Sequence, residues 1–400
     1  VAQIIQRVGQ SRGKNRFISA EMSYIRAKFR SSPLLTLHCQ YVCLGRVTTV
    51  NAAMRDGGRP WVILGLGLLL AAGLNLASGS LAVSPTQMLA ILCEGLGWKV
   101  SFGTHDSGQY AVFWSLRVPR VILAIGCGVG LAMAGAAIQG IFRNPLADPA
   151  LIGVTSGGAV GAIGGILLGT WIVGLPLWLA RSAVPLGALG GAMLATLLIY
   201  RLATVAGRTS SSTLLLVGIA INALAGAVIG FVLFYANAED LRSFLFWTLG
   251  SLDRASWAEV RIGLLIIIPA ALTLPFFAGP LNLLLLGETE AFHLGVSVQK
   301  LTRQVVFLSA GLAGTTVALA GTIGFVGLMV PHLMRLWLGP DHRRLFPASA
   351  IAGAILLLVA DAAARSLMPP AVLPIGILTA LAGAPFFLFL LARRKGALDG

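Results

Sequence analysis

Long apolar runs recur along the chain, separated by short polar or glycine- and proline-bearing breaks. A hydrocarbon core about 30 Å thick needs roughly 20 apolar residues per helix. On that length the pattern predicts ten spans, near 61–82, 118–140, 150–170, 180–200, 213–235, 257–277, 303–322, 324–338, 348–366 and 374–392. The third and eighth are short or broken by glycine. The runs are continuous and lack the alternation of a lipid-facing strand. The expected fold is an all-α polytopic membrane protein of about ten transmembrane helices.

Composition narrows the class further. Hydrophobic residues make up 57% of the 400 and charged residues 11%, against about 25% charged in soluble chains. A soluble enzyme, a nucleic-acid-binding domain and a disordered scaffold are disfavoured. The net charge of +15 does not restore a nucleic-acid partner, because ten Lys/Arg against two Asp/Glu fall in residues 1–60. That is a basic tail and not a folded basic face. Nothing in 1–60 joins an apolar stretch to a small-residue cleavage site, so no signal peptide is expected there. Met22 and Met54 are both possible starts, and the functional chain is expected to open near Met54. Residues 1–58 then form a basic extension, disordered or over-annotated, or else an arm lying on anionic lipid. Residues 59–395 form the membrane domain. Cys39, Cys43, Cys93 and Cys127 make neither a disulfide framework nor, lacking a second pair, a metal site.

Basic residues before the first span hold its N-terminus in the cytoplasm. Alternation then places 141–149, 201–212, 279–302, 339–347 and the C-terminus inside. Those segments and their helix ends carry eleven Lys/Arg against eight on the outer side.

The 49 glycines exceed what turns need, and several lie four apart: Gly126/Gly130, Gly157/Gly161, Gly161/Gly165, Gly187/Gly191 and Gly226/Gly230. Such spacing lets helix backbones approach closely in lipid, as static packing or as a moving pair. Leu131–Gly135 (LAMAG) resembles Val317–Gly321 (VALAG), with Gly128/Gly314 and Pro145/Pro331 at the same offset of 186. The matching spans lie five apart and so cross in opposite directions, the mark of an inverted internal repeat.

The chain has no P-loop, HExxH or GxSxG motif. Its five histidines are scattered. Asp361 is the clearest acid inside a span. It reads as a structural ion pair with Arg365 four residues on, or as a proton- or sodium-coupling site. With no nucleotide site and no evident proton relay, a transporter of this build draws energy from a partner. Arg143–Pro149 (RNPLADP) predicts a rigid turn on the inner face. In Leu281–Arg303, apolar residues flank the acidic GETE, as in a helix docked on a soluble protein or a solvated connector. Leu116–Arg120 (LRVPR) places Arg117 and Arg120 at the outer mouth. With Arg365 they form a basic rim for a secreted partner's carboxylates, or anchor the interface.

Together LRVPR (116–120), GxxLAxxGxxxQGxxRNPLADPxxxGVxxG (128–157), GFVGLMVPHLMR (324–335), GPDHRR (339–344), ADxxAR (360–365) and LPIGxxTAxxGAPFFxxLL (373–391) resemble the permease family of ABC importers for iron–siderophore complexes, haem and vitamin B12. The likeness runs from about 60 to 395. It implies a type II importer permease fold in the bacterial inner membrane, with both termini cytoplasmic. It implies a homodimer, two cytoplasmic ATPase subunits and a periplasmic binding protein. ATP and Mg would sit on the partner, with no cofactor or metal held by this chain. By the same resemblance, Arg117, Arg120 and Arg365 dock the binding protein. Asn144 and Leu146, with Ser211 and Ser212, line the cytoplasmic gate, where Ser-Ser replaces Thr-Ser. The segment 287–296, with Glu288, Glu290, Phe292, Leu294 and Gly295, meets the ATPase.

Phe244–Leu252 with Trp257 is similar to the haem permeases, which makes haem the expected cargo ahead of ferric siderophores and cobalamin. Arg181 and Arg242 are candidates along the path, for haem propionates, with surface placement the plainer reading. The other classes are an ATP-independent secondary transporter and a membrane-embedded enzyme. The second would need polar side chains clustered at one depth, which the sequence lacks.

Overall fold

The computed structural model describes residues 58–396, apart from 80, 82, 99–101, 172–175, 206 and 369–370. The expected extension, 1–58, lies outside the described residues except for Gly58, as do Cys39 and Cys43. Helix α1 covers Arg59–Ala77, α2 Pro85–Gly95 and α3 Ser107–Val112. A π-helical turn, Phe113–Arg117, joins α3 to α4, Val118–Ile141. After a 3-10 turn at Pro149–Ile152 come α5 (Val154–Trp171) and α6 (Leu177–Leu202). A two-residue hairpin, β1 (Thr204–Val205) with β2 (Arg208–Thr209), precedes α7 (Ser211–Tyr235). Then follow α8 (Ala238–Thr248), α9 (Trp257–Thr273), α10 (Ala278–Leu284) and α11 (Glu288–His293). The chain ends with α12 (Val298–Ala320), α13 (Val326–Leu338), α14 (His342–Ser366) and α15 (Ile375–Gly396).

Among the described residues, seven stretches are long and apolar enough to cross a membrane: 59–77, 107–141, 182–202, 211–235, 257–284, 298–320 and 342–366. Three shorter apolar helices, 154–169, 326–338 and 375–388, occupy the remaining expected positions. Every predicted span therefore has a helix. The second begins earlier than its apolar run because Phe113–Arg117 continues the coil as a π turn. There the Val118 N–H donates to the Phe113 carbonyl, while Pro119 has no N–H to give.

Helix α4 is the central column. Its apolar stretch is 83% buried, against 11% for α7. It packs on α14, α12, α13 and α9. Two of these contacts are backbone to backbone: a Cβ on Gly128 would fall against the Gly353 carbonyl of α14, and one on Gly135 against the Gly327 carbonyl of α13. Helices α5 and α6 form the other tight pair, with Gly157, Gly161 and Gly165 facing Gly191, Gly187 and Ala183. Spacing alone did not fix this use of glycine, since Gly226 and Gly230 on α7 meet nothing within 4 Å.

The paired pentapeptides both fall on buried central helices, but their local structures differ. Gly135 lies inside α4, whereas Gly321, at φ 72°, ends α12. Around this helix end the irregular segments exchange hydrogen bonds with one another, as backbone buried in lipid favours. The Ser251 N–H donates to the Ala320 carbonyl at 2.8 Å, and the Ile375 N–H to the Gly250 carbonyl at 2.9 Å. The Thr322 hydroxyl donates to the Thr248 carbonyl.

Candidate functional site

The functional residues gather at the two ends of α4, roughly 36 Å apart for 24 residues at 1.5 Å each. At its N-terminal end the three expected arginines do come together, around Asp361. The Arg120 Nε lies 2.9 and 3.0 Å from the two Asp361 carboxylate oxygens. The Arg365 Nη2 lies 3.2 Å from the same carboxylate, one helical turn along α14. The Asn75 amide of α1 donates to Asp361 at 3.1 Å and to the Leu358 carbonyl at 2.8 Å. Arg365 also donates to the Ser78 and Asn75 carbonyls at 2.7 and 2.8 Å. The Arg117 guanidinium, turned inward by the π turn, donates to the Leu76 carbonyl at 2.9 Å and to the Leu81 carbonyl.

This geometry corrects the expectation of an open basic rim. Arg117 is 5% exposed, and the side chains of Arg120 and Arg365 are 12% and 10% exposed. Most of their donors are taken up by internal acceptors, because charges at this depth need partners, while the Arg365 Nε is buried without a hydrogen-bond partner. Among the described side chains of the network, Asp253, at 2.7 Å from Arg120 and 46% exposed, opens it to solvent. Asp361, fully buried and satisfied on several sides, is a structural ion partner. The sequence reading missed Asn75 and Asp253. Asn75 carried a signal, as the one amide within the apolar first span.

At the C-terminal end, α4 stops at Phe142 and the chain turns through Asn144. The Asn144 side-chain oxygen accepts the Leu146 N–H at 3.0 Å, and its carbonyl accepts the Ala147 N–H at 3.1 Å. Asp148 caps the following 3-10 turn through the Ala150 N–H at 2.8 Å. Burial pushes the Asp148 carboxyl above the usual carboxylate range, against the opposing pull of that hydrogen bond. The Ser211 hydroxyl, at the start of α7, donates to the Ile141 carbonyl at 3.3 Å. Ser212 instead pairs with the Ser210 hydroxyl at 3.0 Å. Ser211 thus joins the start of α7 to the last residue of α4, three residues before Asn144.

Helix α11 lies beside this turn. Arg143 Nη2 is 3.1 Å from Glu288 Oε1. Ala291 is fully buried and anchors the helix, while Phe292 and Leu294 are 68% and 57% exposed. Left-handed glycines bound the segment, Gly287 at φ 127° and Gly295 at φ 87°. An apolar pair held out on a short capped helix suits a protein partner better than water. A second unforeseen contact braces this half of α4: Arg335 of α13 donates to the Gln139 side-chain oxygen at 2.9 Å.

The path residues fare differently. The Arg181 side chain lies outside the described residues. Arg242 on α8 is exposed, with its guanidinium 5.7 Å over the Phe246 ring of its own helix. A nearby cleft of about 180 Å³ is lined by Ile166, Val184, Glu239, Asp240, Ser243, Trp247 and Arg254. The basic residue that lines it is Arg254, and Arg242 is not among the lining residues. Among the described residues no group of three or more His, Cys, Asp or Glu is placed to hold a metal.

Comparison with known proteins agrees with this architecture. Residues 67–393 match the model of the FecCD transport family. The hemin transport system permease protein HmuU of Yersinia pestis is 40% identical over 342 residues, covering 86% of this chain and 98% of the relative. The cobalamin import system permease protein BtuC of Halobacterium salinarum is 36% identical over 363 residues, covering 88% and 95%. Among solved structures, a metal-chelate type ABC transporter in an inward-facing conformation aligns with TM-score 0.69 and 34% identity, over 82% of this chain and 97% of that one.

Proposed function

The chain belongs to the FecCD transport family as the permease subunit of an ABC importer, and from that premise we propose that it carries haem into the cytoplasm under power from separate ATPase subunits. The proposed assembly pairs two copies of the chain in the bacterial inner membrane. Two ATPase subunits sit below and a periplasmic binding protein above. Both termini face the cytoplasm, so the Arg120–Asp361 end is outer and the Asn144 turn inner. The chain makes and breaks no covalent bond.

The observation that carries this reading is the inner end. Phe292 and Leu294 stand exposed on α11, and that helix is ion-paired to the turn bearing Asn144 and Leu146. In the proposed cycle, closure of the ATPase pair displaces α11, and the turn follows. The subunit halves rock between outward- and inward-open states. Ser211 and Ser212 complete the gate with Asn144 and Leu146. The binding protein docks at the outer end, where Asp253, Arg254 and the edge of Arg120 are accessible charges. Haem is favoured over ferric siderophores and cobalamin by the likeness to a hemin permease and by the aromatic Phe244–Trp257 stretch.

The test is reconstitution in proteoliposomes with the ATPase and haem-loaded binding protein. Uptake should require ATP and be blocked by vanadate. Phe292→Asp with Leu294→Asp should abolish ATPase co-purification while leaving the permease folded. Uptake without any ATPase would instead identify a secondary transporter.

A further inference from the structure

The last turn of α4 closes with a pattern that usually belongs to glycine. The Arg143 N–H donates to the Gly140 carbonyl at 3.2 Å, and the Asn144 N–H to the Gln139 carbonyl at 3.2 Å. These are the paired bonds of a Schellman cap. The residue at its pivot is Arg143, at φ 50°. Glycine favours that left-handed position because a Cβ is crowded there. Among the described residues only Arg143 and Phe325 adopt positive φ without being glycine.

Backbone strain of this kind persists where the side chain is needed. Here the side chain reaches Glu288 on α11 at 3.1 Å. Stability does not account for the contact. The two side chains are 39% and 41% exposed, and ion pairs that open to solvent contribute little. What the pair supplies is connection. It joins the first residue of α11 to the residue preceding Asn144. The turn beyond is braced by three hydrogen bonds of its own, to the Asn144 side chain, the Asn144 carbonyl and the Asp148 side chain. A displacement delivered at Arg143 therefore carries the whole 144–150 turn.

We infer that Arg143 is a positioning residue, a strut whose ion pair with Glu288 transmits movement of α11 to the Asn144 turn. The inference rests on the reading of α11 as the surface that meets the ATPase. It makes use of the strain: Arg143→Gly relaxes the cap and removes only the strut.

The experiment uses the full transporter in proteoliposomes, with haem on the binding protein as the probe. Arg143→Gly should keep ATPase co-purification and keep or raise the melting temperature. The ATP hydrolysed per haem delivered should rise about tenfold, as for a broken coupling between two sites. Glu288→Gln, at a half-exposed position, should give the same loss. Arg143→Glu combined with Glu288→Arg should return the ratio to within about twofold of the starting value. An unchanged ratio in Arg143→Gly or Glu288→Gln overturns the strut, as does a charge swap no better than Arg143→Glu alone. Failure of the underlying reading shows separately, as ATPase co-purification that survives Phe292→Asp with Leu294→Asp.

Discussion

Both ends of α4 set arginine against carboxylate, and they do so in opposite environments. At one end Arg120 and Arg365 close on an Asp361 with no solvent exposure. At the other, Arg143 meets Glu288 with both side chains more than a third exposed. The buried network ties α1, α4 and α14 into one piece, and removing a member strands the others in a low-dielectric setting. The exposed pair ties a turn to a small helix and can be broken without stranding anything. Identical chemistry thus makes a fixed end and a movable one, with solvent access deciding between them.

The contrast breaks most visibly at Asp361. Asp361→Asn should cost about 3–5 kcal/mol, because it leaves Arg120 and Arg365 buried without their counter-charge. Loss of a monodisperse peak in detergent, or a large drop in melting temperature, checks this. Second in size is the column between the ends. Gly135→Val drives a side chain into the Gly327 carbonyl, and should cost about 1–3 kcal/mol as overpacking does. A smaller shift than for Asp361→Asn is expected in the same assay. Third, Asp253→Asn and Glu288→Gln remove partly exposed partners and should each cost no more than about 1 kcal/mol. If Asp253→Asn proves as damaging as Asp361→Asn, the Asp361 end is not divided into a buried core and an open edge.

The smallest effect concerns Asp148. Its carboxyl titrates above the usual range in the folded protein because of burial. The folded state therefore holds this proton more tightly than the unfolded chain. That contribution is fully present below about pH 4 and is lost as pH rises through the folded value. The melting temperature of Asp148→Asn, taken relative to the parent, should therefore rise slightly between pH 4 and neutrality.

Seven of the spans were legible because each is a run long enough to cross a bilayer, a property of composition within a window. Even the short third and eighth helices showed, through their glycines. What composition could not convey was facing. The glycines of α5 and α6 at four-residue spacing meet backbone, while Gly226 and Gly230 with the same spacing meet open space. Arg117, Arg120 and Arg365 were picked out by position, but their inward turn depends on the π turn at Phe113–Arg117 and on acceptors from α1 and α14. Those acceptors lie up to 290 residues away. The left-handed backbone at Arg143 had no sequence signal, since glycine is the residue that would have advertised it.

The distance in sequence between Arg120 and Asp361, 241 residues, has a bearing on how the chain is made. At ribosomal speeds of about 5–20 residues per second, the counter-ion emerges on the order of tens of seconds after the arginine. Through the first part of that interval Arg120 has no carboxylate partner, and then Asp253, 133 residues on, supplies a partly exposed one. Completion of α14 supplies Asp361 and Arg365 together, the two side chains that join α1 and α4 to the last part of the chain.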